Sequence, residues 1–231
     1  MHLLPRTPLT SLLLLPTLAF TQCTRPLLAS ITTSLLHAQT LGTATFPSLS
    51  PNTTYTQNRK PLSLDAPTSI LTRALTLTSQ PHPTRLVEIE SIVTTTGDWL
   101  FNVTGTQYWA SREAWTAIPE AQRDTRETIK AAGDAYCDVF KDKAVAGGMY
   151  TGRGAASDRC DVGVPSGVSL VNRRYVIDEE YGTVDIMMDF AGREGEWGVA
   201  GLPDSHEFRV ERGRLRYVHT LSSCGGRSCM G

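Results

Sequence analysis

The sequence lacks an excess of charge of either sign: Lys and Arg total 22 and Asp and Glu 23, a net charge of −1 over 231 residues. A chain that grips a phosphate backbone needs a dense basic face, so nucleic acid is not an expected partner. No G-x-G-x-x-G turn opens a helix after a strand, and there is no P-loop, so a nucleotide cofactor has no cradle. No G-x-S-x-G elbow occurs; Gly163-Val164-Pro165-Ser166-Gly167 offsets its serine and lacks a strand–turn–helix context. The cysteines form no C-x-x-C pair and have no zinc-finger spacing. No apolar run reaches the ~20 residues of a membrane-spanning helix, so no membrane anchor is expected. No cofactor and no resident metal are expected either.

What is present starts with residues 1–21, which read as a signal peptide. Arg6 supplies the positive start, Leu12 to Phe20 the apolar stretch, and small or polar residues follow. The expected location is therefore the secretory pathway and the exterior. Two sequons agree with export, Asn52-Thr53-Thr54 and Asn102-Val103-Thr104, and make Asn52 and Asn102 candidate glycan sites on exposed loops. The cysteines are Cys23, Cys137, Cys160, Cys224 and Cys229. In an oxidising compartment most should pair, and the odd count leaves at least one free or bridging two chains, so a homodimer is compatible with it.

Periodicity sketches an α+β protein. Leu27, Leu28, Ile31, Leu35 and Leu36 recur at helical spacing, predicting a helix from Pro26 to Gly42. Phe46 to Leu64 reads as loop with a short extended piece at Thr54-Tyr55-Thr56, and Thr68 to Leu77 is a helix or a strand. Arg85 to Thr96 reads as a strand ended by Gly97-Asp98. Asp124 to Lys141 is the clearest helix, with the stripe Ile129, Ala132, Tyr136, Val139 and Phe140. A long loop runs from Gly147-Gly148 to Gly167, and Asn172 to Glu180 is helix, extended segment or both. Thr183 to Phe190 alternates as a strand with Val184, Ile186, Met188 and Phe190 on one face. After a glycine-bearing loop come strands His206 to Glu211 and Arg214 to Leu221, joined at Arg212-Gly213. Arg85 to Ile92 echoes Arg214 to Leu221, both as R-L-x-x-[IV]-x-[ST]-[IL]. Chance similarity between two strands would also produce this. The echo suggests two related halves, 22–118 and 119–231, each a helix on a curved antiparallel sheet.

The C-terminal hairpin carries the candidate chemistry. With Arg212-Gly213 as a two-residue turn, Val210 faces Leu215, Phe208 faces Tyr217 and His206 faces His219, all on one face of the sheet. Asp204 lies just before the first histidine. This set supports acid–base work with Asp204 orienting an imidazole, or a metal held by two histidines and a carboxylate, or two histidines satisfied within a core. A three-residue loop with a bulge would break the pairing. A charged segment, Arg173-Arg174-Tyr175-Val176-Ile177-Asp178-Glu179-Glu180, is a solvated ion-pair network or the rim of a pocket. The aromatics Trp99, Phe101, Tyr108, Trp109 and Trp115 are core or pocket lining.

Several stretches resemble a family. They are Gly97-Asp98-Trp99-Leu100-Phe101-Asn102, Tyr108-Trp109-Ala110-Ser111, Gly163 to Gly167, Arg173 to Asp178, and Pro203-Asp204-Ser205-His206-Glu207-Phe208-Arg209-Val210-Glu211. Together they resemble a family of secreted fungal proteins with a domain of unknown function. That family is similar to the cone-shaped α+β fold of nuclear transport factor 2 and the polyketide cyclases. The resemblance implies a cone-like curved sheet packed on helices around an apolar pocket. Some relatives belong to secondary metabolism, including hetero-Diels–Alderases that join a polyketide-derived quinone methide to a terpene. The expected function is thus a cofactor-free cyclisation of a small apolar metabolite. The alternatives are a non-catalytic small-molecule-binding protein and a proton-shuttling isomerase or dehydratase. The resemblance supplies no catalytic residues; His206, His219, Tyr217, Asp204 and Arg174 are the candidate polarising or proton-moving groups. Phe208, Met188, Tyr175 and Trp109 are the candidate pocket. The sequence is shorter than the family pattern between Leu77 and Pro81 and lacks a Pro-Trp-Gly-x-Pro-Cys stretch before Gly147. The second difference implies that Cys160 lacks its usual partner.

Overall fold

The computed structural model describes residues 24–41, 49–64, 86–99, 102–146, 164, 166–190 and 201–224. The expected signal peptide, the segment 68–77, most of the loops 147–167 and 192–201, and Cys23, Cys160 and Cys229 lie outside these residues. The chain divides into two compact units, Met1–Thr53 with Leu71–Val87, and Thr54–Ile70 with Glu88–Gly231.

The first unit holds helix α1 (Arg25–Leu41), where the leucine spacing places it. Thr32 and Thr33 turn their hydroxyls back onto the carbonyls of Leu28 and Ala29, at 3.0 and 2.9 Å. Leu27, Ile31 and Leu35 are half-buried and Leu28 and Leu36 exposed.

The second unit is built on a four-stranded antiparallel meander. Its strands are β4 (Leu170–Asp178), β5 (Thr183–Phe190), β6 (Leu202–Glu211) and β7 (Arg214–Ser222), in the order β4-β5-β6-β7. Helix α3 (Arg126–Val139) touches all four. Its start is set by Thr125, whose hydroxyl accepts from the Thr128 amide at 3.3 Å. Its apolar stripe meets Val184, Ile186, Met188 and Phe208, all without solvent exposure. Burial of each such side chain stabilises the fold by about 1.5–3 kcal/mol. Gly133 is the point of closest approach, because a Cβ there would stand 2.9 Å from the Ile186 Cδ1. Of Asn172 to Glu180, open between helix and strand, the part up to Asp178 is strand and Glu179-Glu180 begin the turn into β5. Asn172 takes a positive φ of 55° beside a register shift, and its side-chain Nδ2 donates to buried Asp189 at 2.6 Å.

A second sheet has the order β2-β1-β3, with β1 (Leu49–Gln57), β2 (Lys60–Pro61) and β3 (Leu86–Ser91). The loop expected over Phe46 to Leu64 is therefore corrected to a hairpin. Its turn residues Asn58 and Arg59 both have positive φ, 49° and 62°. Arg59 is an unusual residue there, and what holds it is tertiary: its guanidinium lies 3.0 Å from the Asp189 carboxylate and donates to the Met188 carbonyl at 2.9 Å. The strand expected from Arg85 to Thr96 is shorter. The two echoing segments are both strands, β3 and β7, in sheets of different size. The architecture is α+β.

Candidate functional site

The turn Arg212-Gly213 is the expected two-residue turn, with φ of 56° and 71°. Val210 pairs with Leu215 as anticipated, but the register then shifts. Phe208 pairs with Val218, Glu207 with His219, and His206 with Thr220. A bulge at Arg216 moves every later residue of β7 by one, which exchanges faces. Leu215 and Val218 both pack on the core although they are three residues apart, a spacing that no regular strand allows. The expected pairing of His206 with His219 on one face is thus overturned, and with it a metal site made from both.

On the inner face, His206 is packed among the rings of Tyr136, Phe140 and Phe208, at centroid distances of 5.5, 5.7 and 5.8 Å. Asp204 accepts from the Ser222 hydroxyl at 2.5 Å. Its other oxygen lies 3.2 Å from the His206 Nδ1 but out of hydrogen-bond alignment, and among the described residues the imidazole has no hydrogen-bond partner. His206 is 1% exposed and Asp204 and Phe208 0%. Met188 is equally enclosed, and its sulfur accepts from the Cys137 thiol at 3.9 Å. The Tyr175 hydroxyl donates to Asp134 on α3 at 2.7 Å. These residues fill the space between sheet and helix. Cys137 is a free, buried thiol that desolvation pushes up to about 12, so it is not a nucleophile at neutral pH.

The outer face carries an open cleft of about 530 Å³, lined among others by Trp109, Glu113, Asp185, Ser205, Glu207 and His219. Asp185, Glu207 and His219 are successive cross-strand partners on β5, β6 and β7, so they form one row. The His219 Nε2 lies 2.8 Å from Glu113 and its Nδ1 3.2 Å from Glu207. Glu113 is itself fixed by the Trp115 indole, which donates to it at 2.8 Å, and the indole ring lies 5.4 Å from the imidazole. The hydrogen-bonded Glu207 carboxylate, with Glu113 behind it, holds the His219 pKa above its ordinary 6.5 against partial burial. Asp185 moves upward from 3.8 because it is desolvated, with Glu207 adding repulsion and the Ser205 hydroxyl, 2.6 Å away, opposing. One wall of the cleft comes from helix α2 (Val103–Ala110), whose N-cap Asn102 accepts from the Gly105 amide at 2.9 Å. Trp109 is 68% exposed at this wall.

Of the candidates named from sequence, His219 and Trp109 line this cleft. Tyr217 adjoins it, with its ring 5.6 Å from Trp115 and its hydroxyl accepting from the Ala114 amide at 3.2 Å. Arg174 is on the far strand β4, paired with Glu90 at 2.8 Å. His206, Asp204, Phe208 and Met188 are on the opposite face. Asp185, Ser205, Glu207 and Glu113 were not singled out from sequence. The signal was the inward pair Leu215 and Val218, from which the bulge follows. Both sequon asparagines are exposed, though Asn52 is in a strand and Asn102 at a helix cap rather than in loops. The cap uses only the Asn102 oxygen, which leaves its nitrogen for a glycan.

A domain of unknown function, DUF8021, matches residues 122–222. That span runs from before α3 through β7 and includes Asp185, Glu207 and His219, but not Glu113 or Trp109. No curated protein and no solved structure matches the chain.

Proposed function

We propose that the outer-face cleft is an acid–base site that cyclises or isomerises a small organic metabolite without a redox or nucleotide cofactor. The observation that carries this reading is the row Asp185–Glu207–His219. In it, an imidazole biased toward its protonated form and a carboxyl group pushed toward neutrality share one cleft. Two strand spacings separate the ends of the row, roughly 10 Å between backbones, enough for a molecule of a few atoms' width between the two side chains. Glu113, 2.8 Å from Nε2, keeps the His219 ring oriented. The substrate carbonyl oxygen takes the place of Glu207 at Nδ1, where the contact is the longer one at 3.2 Å, and receives a hydrogen bond or proton there. Asp185 receives the proton released at the other end. Trp109 gives a conjugated substrate a flat face to rest on.

The finer reading is the hetero-Diels–Alder coupling implied by the resemblance to secreted fungal proteins of the cone-shaped fold. In that reaction His219 polarises the oxadiene oxygen and the cleft supplies orientation. Export is supported by the N-terminal apolar segment, the disulfide at Cys224 and the exposed sequons. A second reading, a non-catalytic binding protein, is favoured by the openness of Trp109 and by an inner face already filled by its own side chains.

The test is to express the chain in a secretory host, incubate it with metabolite extract from its source and follow products by mass spectrometry. A new product that disappears with His219→Gln and persists with Arg174→Gln supports the site. Unchanged metabolites, with one co-purifying on the protein, refute catalysis and leave the binding protein.

A further inference from the structure

The bulge at Arg216 has a second effect on the outer face. A bulge re-aims the extra side chain, and Arg216 lines a second cleft of about 560 Å³ together with Arg209, Arg212, Thr116 and Ile118. Arg209 is 4% exposed and held rigidly: its Nε donates to Glu211 at 2.7 Å and one terminal nitrogen to the Thr116 carbonyl at 3.0 Å. Its second terminal nitrogen has no hydrogen-bond partner among the described residues, and the guanidinium lies 6.0 Å from the Trp115 ring. Arg212, in the turn, and Arg216, whose guanidinium lies 4.8 Å over the Tyr217 ring, are exposed, and neither has an ion pair among the described residues. The wall opposite is anchored by Ile118, whose amide donates to the Glu180 carbonyl at 2.7 Å.

Three guanidiniums therefore border this cleft against one carboxylate, Glu211, which Arg209 already engages. The surplus positive charge is local, in a chain whose net charge is −1. We propose that this cleft is an anion site for a small tetrahedral oxyanion with two negative charges, such as a phosphate monoester. Guanidinium donors lie in planes, and one fixed with two mobile planes can meet several oxygens of a tetrahedral group at once. A monocarboxylate offers only two oxygens and one charge, and so uses one fork at most. The apolar surface of Ile118 and Pro119 leaves room for the organic part of the ester.

The test uses inorganic phosphate with the intact secreted chain, titrated by calorimetry at constant ionic strength, with acetate as the singly charged control. Saturable phosphate binding, weakened at least tenfold in Arg212→Gln/Arg216→Gln and not matched by acetate, supports the site. Both replaced residues are exposed, so the variant keeps its fold, which circular dichroism checks. Absence of saturable binding, a double variant that binds within twofold of the parent, or acetate binding as tightly as phosphate overturns it.

Discussion

His219 stands opposite Glu207 across the β6–β7 pair, with its Nδ1 3.2 Å from that carboxylate. His206, one residue away on β6, points through the sheet to the other side. The two histidines consequently answer to different measurements. His206→Ala removes a buried ring and leaves Asp204 enclosed, and should cost about 2–4 kcal/mol in urea denaturation. His219→Gln should shift stability by less than about 1 kcal/mol while abolishing turnover. A stability loss at His219 equal to that at His206 would contradict this assignment of faces.

The pH dependence has a defined sign. The folded-state pKa of His219 is raised above 6.5, so its stabilising contribution is complete below that pH and is lost as pH rises through the folded value. The melting temperature of the parent should therefore exceed that of His219→Gln most below about pH 6.5, and the gap should close as pH rises through the folded value. A gap that widens with pH would mean that the carboxylates do not hold the ring.

Asp185 moves the same way for a different reason. Burial raises its pKa above 3.8, so ionising it costs stability as pH climbs from 3.8 through the folded value, above which the cost is fully present. Asp185→Asn keeps an oxygen to accept from Ser205 and removes the charge. It should stabilise the protein at pH 7 by on the order of 1 kcal/mol and lower turnover. Stability gained together with activity lost is the mark of a carboxylate retained for function; unchanged turnover would remove Asp185 from the site.

Cys137 should be silent. Its thiol is enclosed and its pKa raised to about 12. Ellman's reagent should leave it unreacted in the native protein and titrate it after addition of guanidinium chloride. Fast reaction of the native thiol would show that the α3–sheet core opens.

Where one periodicity governs an element, the sequence was legible. α1, α3 and β5 follow from apolar spacing, because a helix or strand that must bury one face repeats its apolar residues at a fixed interval. The turn at Arg212-Gly213 was legible because glycine accepts a positive φ without cost. The hairpin at Asn58-Arg59 was not, since an arginine at positive φ is held there by Asp189, 130 residues further along the chain. Asn172 to Glu180 mixes arginines with β-formers, so propensity alone left it open, and pairing with β5 settled it as a strand as far as Asp178.

The site divides along the same line. By itself the sequence determined that chemistry-bearing residues concentrate in the C-terminal hairpin, because a two-residue turn and alternating strands must bring such residues close together. It also determined that no P-loop and no G-x-G-x-x-G turn accompanies them. Only the tertiary structure decided which of them share a face. Leu215 and Val218 both gain more from the core than regular pairing would allow, so β7 bulges at Arg216. A shift of one residue in a strand of period two moves His219 from the enclosed side to the cleft with Glu113, Glu207 and Asp185.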